Sequence, residues 1–304
     1  MKNLVGGLAV AALTLGVGAQ GAAAQDWAKA NLAKSPRHGE FVTITEAGGR
    51  KLQAWVVYPE VKGKAPVVVM IHEIFGQSDW AREMADELAG AGYIVVEPDL
   101  LSGFGPAPSA AAAEPAATEA TMDHSHMQAP AGAGAAFVPA DPGGTAAFPP
   151  DQVTKAVSML DPNVVTADLD ASADYGKKLP AANGKLFVAG FCWGGGKTFA
   201  FATHRKDLSA AFVFYGPPPP VEAMKNINAP VYGFYAGNDA RITATIPDTQ
   251  AAMKAAGKTY DPKVYDGAGH GFMRAGEAPD ASAENAVART AGFRRLVELL
   301  GGVR

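Results

Sequence analysis

Cys192 is the only cysteine in a chain of 304 residues, and it stands in Gly190-Phe191-Cys192-Trp193-Gly194-Gly195. The apolar run Lys185 to Ala189 precedes it and a helix-like stretch follows. A strand, a sharp glycine-flanked turn and a helix make a nucleophile elbow, which holds the central side chain up at the strand's C-terminal end, facing the helix N-terminus. Backbone N–H groups and the helix dipole favour negative charge there. The expectation is a thiol that ionises readily and an oxyanion stabilised as it forms. A buried structural cysteine is the plain alternative, but a core strand has no need of glycines on both sides. A phosphate-binding loop is a second alternative, because Gly196-Lys197-Thr198 matches the end of G-x-x-x-x-G-K-[ST]. Its spacing fails, since the first glycine would have to stand where the chain has Phe191, and no acidic strand end offers itself to magnesium.

A cysteine nucleophile needs a base to take its proton and an acid to orient that base. One known chain order is nucleophile, acid, histidine, and this chain supplies it. Asp239 lies in Ala236-Gly237-Asn238-Asp239, just past a strand expected at Val231 to Tyr235. His270 lies in Gly267-Ala268-Gly269-His270-Gly271-Phe272, just past one expected at Lys263 to Tyr265. Alone, Asp239 would read as a turn residue and His270 as a surface histidine. Together, three suitable residue types after three strands place a constellation at one edge of a sheet. Asp266 is the reserve acid, and Asp248 reads as a helix N-terminal residue.

The elements needed to position these residues are legible in the apolar pattern. Phe41 to Thr45 and Leu52 to Tyr58 read as an opening hairpin around Glu46 to Arg50. Pro66 to Ile71 is the continuous apolar run of a strand covered on both faces. Ser78 to Ala91 has helical periodicity through Trp80, Met84 and Leu88, and Tyr93 to Val96 is the next strand. The alternation continues with a helical region about Gln152 to Lys178, strand Lys185 to Ala189, helix Gly195 to Thr203 and strand Ala211 to Tyr215. Strand Val231 to Tyr235, helix Asp248 to Ala256, strand Lys263 to Tyr265 and helix Ala283 to Leu300 complete it. Strands separated by crossover helices predict an α/β fold, with an open, mostly parallel central sheet flanked by helices, in a single domain over 25–304.

From Gly103 to Pro150 the chain is dominated by Ala, Pro and Gly. It reads as a loosely attached or disordered insertion at the carboxyl edge of the sheet, serving as lid or tether. Within it, Met122-Asp123-His124-Ser125-His126-Met127 makes His124 and His126 weak metal candidates, suited to copper. On that basis a non-catalytic metal-binding or scaffold protein is the alternative to an enzyme.

Met1 to Ala24 has one basic residue, Lys2, then the apolar stretch Leu4 to Val17, then Ala22-Ala23-Ala24. This is the pattern of a cleaved signal peptide and predicts a secreted or periplasmic protein. The stretch is too short for a comfortable membrane span, and nothing later is long and apolar enough to serve as one. Loss of 1–24 removes Lys2 alone among the charged residues and moves the net charge from −4 to −5, which argues against nucleic acid as a partner. With a single cysteine no internal disulfide can form, so stability must come from a buried core.

His72-Glu73-Ile74-Phe75-Gly76 directly follows the apolar strand at 66–71. This motif, the Gly-Phe-Cys-Trp-Gly-Gly elbow and His270-Gly271-Phe272-Met273-Arg274 together resemble the dienelactone hydrolase family of the α/β-hydrolase fold, over roughly Phe41 to Leu300 without the insertion. The resemblance implies that Cys192 is the nucleophile, that Asp239 and His270 complete the triad, and that Glu73 contacts and helps activate the thiol. It implies hydrolysis of a small ester or lactone with no cofactor. The backbone N–H groups of Ile74 and Trp193 would form the oxyanion hole, as the general rule for such folds requires. Arg274 and Phe75 are the substrate-binding candidates, and His72 reads as a packed, hydrogen-bonded histidine. The family's other carboxylate-binding arginine, expected shortly after Pro98-Asp99-Leu100, is missing from Leu101-Ser102-Gly103-Phe104. Half of that clamp is absent.

Overall fold

Alternation along one strand explains the layering of this molecule. In β3 (Ala65–Ile71), Val67, Val69 and Ile71 are buried in one hydrophobic cluster and Val68 and Met70 in another, on the opposite face of the sheet. A strand with both faces covered can be apolar throughout, and this one is. The computed structural model describes residues 25–107 and 137–303, and the leader read at 1–24 lies outside them.

The sheet has eight strands in the order β1-β2-β4-β3-β7-β8-β9-β10. β1 (Gly39–Thr45) and β2 (Lys51–Val57) form the expected antiparallel hairpin, and β2 runs antiparallel to β4 (Ile94–Pro98). From β4 through β3, β7 (Ala182–Phe191), β8 (Ala210–Phe214), β9 (Val231–Ala236) and β10 (Tyr260–Tyr265) every pairing is parallel. The chain leaves β3 for β4 on one side and returns as β7 on the other. This switch point opens a crevice at the strands' carboxyl ends, where ligands bind in open α/β sheets.

One face is covered by α1 (Asp26–Leu32), α2 (Asp79–Gly90) and α10 (Ala283–Gly302), and the other by α3 (Pro150–Ser158), α4 (Pro162–Lys178), α5 (Trp193–His204) and α8 (Ile246–Ala255). Three one-turn helices, α6 (Val221–Met224), α7 (Ala240–Thr243) and α9 (Phe272–Ala275), sit in the connections after β8, β9 and β10. α2 starts where the sequence indicates, with the Ser78 hydroxyl accepting from the Ala81 N–H, and it buries Trp80, Met84 and Leu88. The helical region expected as one piece at 152–178 is two helices. Pro162 begins α4, and Asp161 caps it by accepting from the Asn163 N–H at 2.7 Å.

The insertion is a correction. Its two ends are folded rather than loose. β5 (Ser102–Pro106) and β6 (Phe137–Gly143) pair antiparallel, a 3₁₀ turn covers Thr145–Ala147, and α3 follows. Phe104 and Phe148 are both buried in the core cluster under α3 and α4. Arg50, from the β1–β2 turn, donates to the Ser102 carbonyl, pairs with buried Asp168 of α4 and lies over the Phe104 ring at 5.2 Å. A reading from average composition diluted these few anchoring residues. Only 108–136, including His124 and His126, lies outside the described residues.

One deletion and one substitution separate the anchored arms from the rest. Joining Ala107 to Phe137 by a short Gly-Ser linker removes only Met122 and Met127 as large apolar side chains, and Tm is expected to stay within a few degrees of the parent. Phe148→Ala is expected to lose about 3 kcal/mol in urea unfolding. Equal losses from the two changes would show that the arms do not hold the excursion.

Candidate active site

β7 ends at Phe191, and the next residue leaves the strand with φ 54° and ψ −114° before α5 begins at Trp193. The turn is held by its neighbours. The Cys192 N–H donates to the Phe214 carbonyl at 3.0 Å, and the Gly196 N–H to the Cys192 carbonyl at 3.2 Å. A Cβ on Gly190 would strike the Gly194 carbonyl, and one on Gly194 the carbonyls of Ile71 and His72. The glycines around the elbow are therefore required by close packing, while the positive φ falls on the cysteine itself.

The loops after β9 and β10 bring the other two residues to this point. His270 Nδ1 lies 2.5 Å from Asp239 Oδ2, and His270 Nε2 lies 3.0 Å from Cys192 Sγ. Asp239 is buried, which leaves its carboxylate to orient the imidazole, and the His270 ring is exposed on its outer side. Asp266, the reserve acid, is exposed at the turn after β10, and Asp248 lies in the first turn of α8 as expected.

Glu73 is buried beside the sulfur, and its Oε1 accepts from Arg274 Nε at 2.6 Å. Arg274 also lies over the Phe75 ring, 4.9 Å from its centroid. Thus Arg274 and Phe75 form one unit with Glu73 in this state, and Arg274 is tied to an acidic neighbour rather than free for a ligand. Burial pushes the Glu73 carboxyl above its usual range, and the Arg274 charge opposes that rise. His72 is buried, with Nδ1 2.8 Å from the Glu73 carbonyl and Nε2 3.4 Å from the Leu100 N–H. Its ring stacks on Trp193 at 5.7 Å. Burial drives its pKa down, so it is a neutral, packed histidine as expected.

The thiol is a correction. Its pKa is pushed up to about 11, first by burial and then by the Glu73 charge. The backbone N–H groups of Trp193 and Ile74 bond to the sulfur and lower it, as does the charge of Arg241, but they do not win. The elbow's dipole alone does not set the ionisation; desolvation and a neighbouring carboxylate outweigh it. The two N–H groups nonetheless both reach the sulfur.

Two further residues carry no motif. Tyr215, after β8, has φ 39°, is fully buried, and packs edge-on against His270 at 5.1 Å. Arg241 is exposed in α7, two residues past Asp239, and makes no ion pair among the described residues. Position after a strand end was the only sequence signal either one had. Among the described residues no cluster of His, Cys, Asp or Glu could hold a metal ion.

Alkylation of Cys192 by iodoacetamide should therefore be slow at neutral pH and still rising above pH 9, since the thiolate is the reactive form and the raised pKa delays it. Glu73→Gln removes a negative charge beside the sulfur and should move that profile to lower pH. A plateau already reached at pH 6 in the parent would contradict the raised pKa.

The sequence profile of the dienelactone hydrolase family matches residues 52–303. A Salmonella typhi protein provisionally named a carboxymethylenebutenolidase is 28% identical over 243 residues, covering 76% of this chain and 77% of its own length. The carboxymethylenebutenolidase of Pseudomonas putida is 27% identical over 243 residues, with 77% and 86% covered. A crystal structure from Klebsiella pneumoniae subsp. pneumoniae, of a protein provisionally named a dienelactone hydrolase, matches with a TM-score of 0.64 and 25% identity over 86% of this chain and 97% of that one. The matched span runs from β2 through α10 and takes in Glu73, Cys192, Asp239 and His270, so the chain belongs to the dienelactone hydrolase family, ester or lactone hydrolases with the α/β-hydrolase fold.

Proposed function

We propose that this hydrolase cleaves a small carboxylic ester or lactone through a thioester formed on Cys192. The observation that carries the reading is the unbroken chain from Cys192 Sγ to His270 Nε2 at 3.0 Å and from His270 Nδ1 to Asp239 Oδ2 at 2.5 Å. His270 takes the thiol proton as sulfur attacks the carbonyl carbon, and the carbonyl oxygen becomes an oxyanion facing the N–H groups of Ile74 and Trp193. Collapse breaks the C–O bond, and the leaving alkoxide takes the proton back from His270. Water, deprotonated by His270, then attacks the thioester carbon; the C–S bond breaks, the carboxylic acid leaves, and His270 returns the proton to the sulfur.

The raised thiol pKa makes activation the difficult step, and Glu73 is placed to assist. A carboxylate freed from Arg274 beside the thiol is a stronger base than one held by it. A substrate bearing its own carboxylate would compete for Arg274 and release Glu73 in doing so. With the family's other arginine missing, Arg274 and Arg241 are two cations close to the nucleophile, and they favour an anionic group on the substrate.

Export from the cytoplasm is part of the same proposal, supported by Lys2, the apolar stretch Leu4 to Val17 and Ala22-Ala23-Ala24. Intact-mass analysis of active enzyme from the exported fraction should show an N-terminus near Gln25. Retention of Met1 in a purely cytoplasmic enzyme would overturn it.

Cys192→Ala should lower kcat on a chromogenic short-chain ester by on the order of 10⁴ to 10⁶ with the fold intact, and Cys192→Ser should recover little. Residual activity within tenfold of the parent would remove Cys192 from the mechanism.

Arg274→Ala should reduce kcat/KM for a carboxylate-bearing ester at least tenfold more than for a neutral ester of equal size. Equal losses on the matched pair would mean that Arg274 serves Glu73 alone and does not read substrate charge.

A further inference from the structure

The returning arm of the excursion meets the loop that carries Ile74, and one side chain makes the junction. Thr145 opens the 3₁₀ turn after β6. Its Oγ1 accepts from the Gln77 N–H at 3.0 Å and donates to Asp99 Oδ1 at 2.8 Å, while its own N–H donates to Asp99 Oδ2 at 2.7 Å. A Cβ on Gly76 would overlap the Thr145 side chain, so the two are packed in contact. Asp99 is buried and also accepts from the Leu101 N–H at 3.1 Å, which fixes the carboxylate as an immobile post. The loop is also tied by Gln77 Nε2 to the Glu97 carbonyl at 2.8 Å, by the His72 contact with the Glu73 carbonyl, and by Arg274 through Glu73 and the Phe75 ring. A single hydroxyl oxygen accepts from the loop and donates to the carboxylate at once, and serine and threonine are the residues small enough to supply one here.

We propose that Thr145 is a positioning residue for the oxyanion hole. By bridging Gln77 N–H to Asp99 and packing on Gly76, it sets where the Ile74 N–H points, a role that rests on Ile74 donating to the oxyanion in the hydrolysis described above. The excursion is thereby wired to the rate of the chemical step. Misplacing a positioned group by about 1 Å costs on the order of 10²-fold, and losing one oxyanion donor costs on the order of 10² to 10³ in kcat.

The test compares Thr145→Val and Thr145→Ser in the full-length enzyme, using a neutral chromogenic ester and iodoacetamide alkylation of Cys192. Alkylation forms no oxyanion, so it reports what the Ile74 N–H does for the thiolate and not what it does for the hole. Thr145→Val should lower kcat about 10- to 100-fold, leave KM within about threefold and slow alkylation far less than kcat, by no more than about threefold, and Thr145→Ser should return kcat to within about threefold of the parent. If the valine variant does not fold, Thr145→Ala removes the hydroxyl and the methyl packed on Gly76 without adding bulk and supplies the same comparison. A folded Thr145→Val or Thr145→Ala enzyme with parental kcat would overturn the proposal, and so would hydrolysis and alkylation falling in proportion. Failure of the hydrolysis reading itself is read elsewhere, from undiminished activity in Cys192→Ala, and does not depend on any Thr145 variant.

Discussion

Between β7 and α5 the backbone turns at Cys192 with a positive φ, in a space where the ends of β3 and β8 already press against it. A non-glycine residue held in such a conformation costs of order 1–3 kcal/mol and persists only when its surroundings over-determine it. They do so here. The Phe214 carbonyl takes the Cys192 N–H, the carbonyls of Ile71 and His72 leave no room for a side chain at position 194, and β7 is clamped between β3 and β8. The apolar strands supply the rigidity that keeps the turn in place, since both faces of the sheet are packed.

The thiol raised by that turn sits among opposing charges. Burial and Glu73 keep it protonated, while the N–H groups of Ile74 and Trp193 and the charge of Arg241 favour ionisation. A protonated thiol is a poor nucleophile and is also slow to oxidise, which suits the exported setting proposed for a lone cysteine. Arg274 holds the Glu73 carboxylate and partly offsets its charge.

The excursion at 102–148 has firm roots. Arg50 ties its first strand to α4, Phe104 and Phe148 enter the core, and Asp99 gathers the N–H of Leu101 together with the N–H and hydroxyl of Thr145. Asp99 belongs to the same strand end as Leu100, whose N–H reaches His72, and His72 stacks on Trp193. The two N–H groups that reach the sulfur, of Ile74 and Trp193, therefore stand on elements braced from the end of β4.

The sequence by itself determined the sheet, because unbroken apolar runs such as Val67 to Ile71 are tolerated only where both faces are covered. It also placed Cys192, Asp239 and His270 after three of those strands, and parallel strands bring their carboxyl ends to one edge. The roots of the excursion were missed because anchoring by Arg50, Phe104, Thr145 and Phe148 depends on partners 46 to 118 residues away, which local composition cannot report. The ionisation of the thiol was misjudged for a related reason. A helix N-terminus is visible in a motif, whereas desolvation and the closeness of Glu73 and Arg274, 201 residues apart in the chain, exist only once the fold has closed around them.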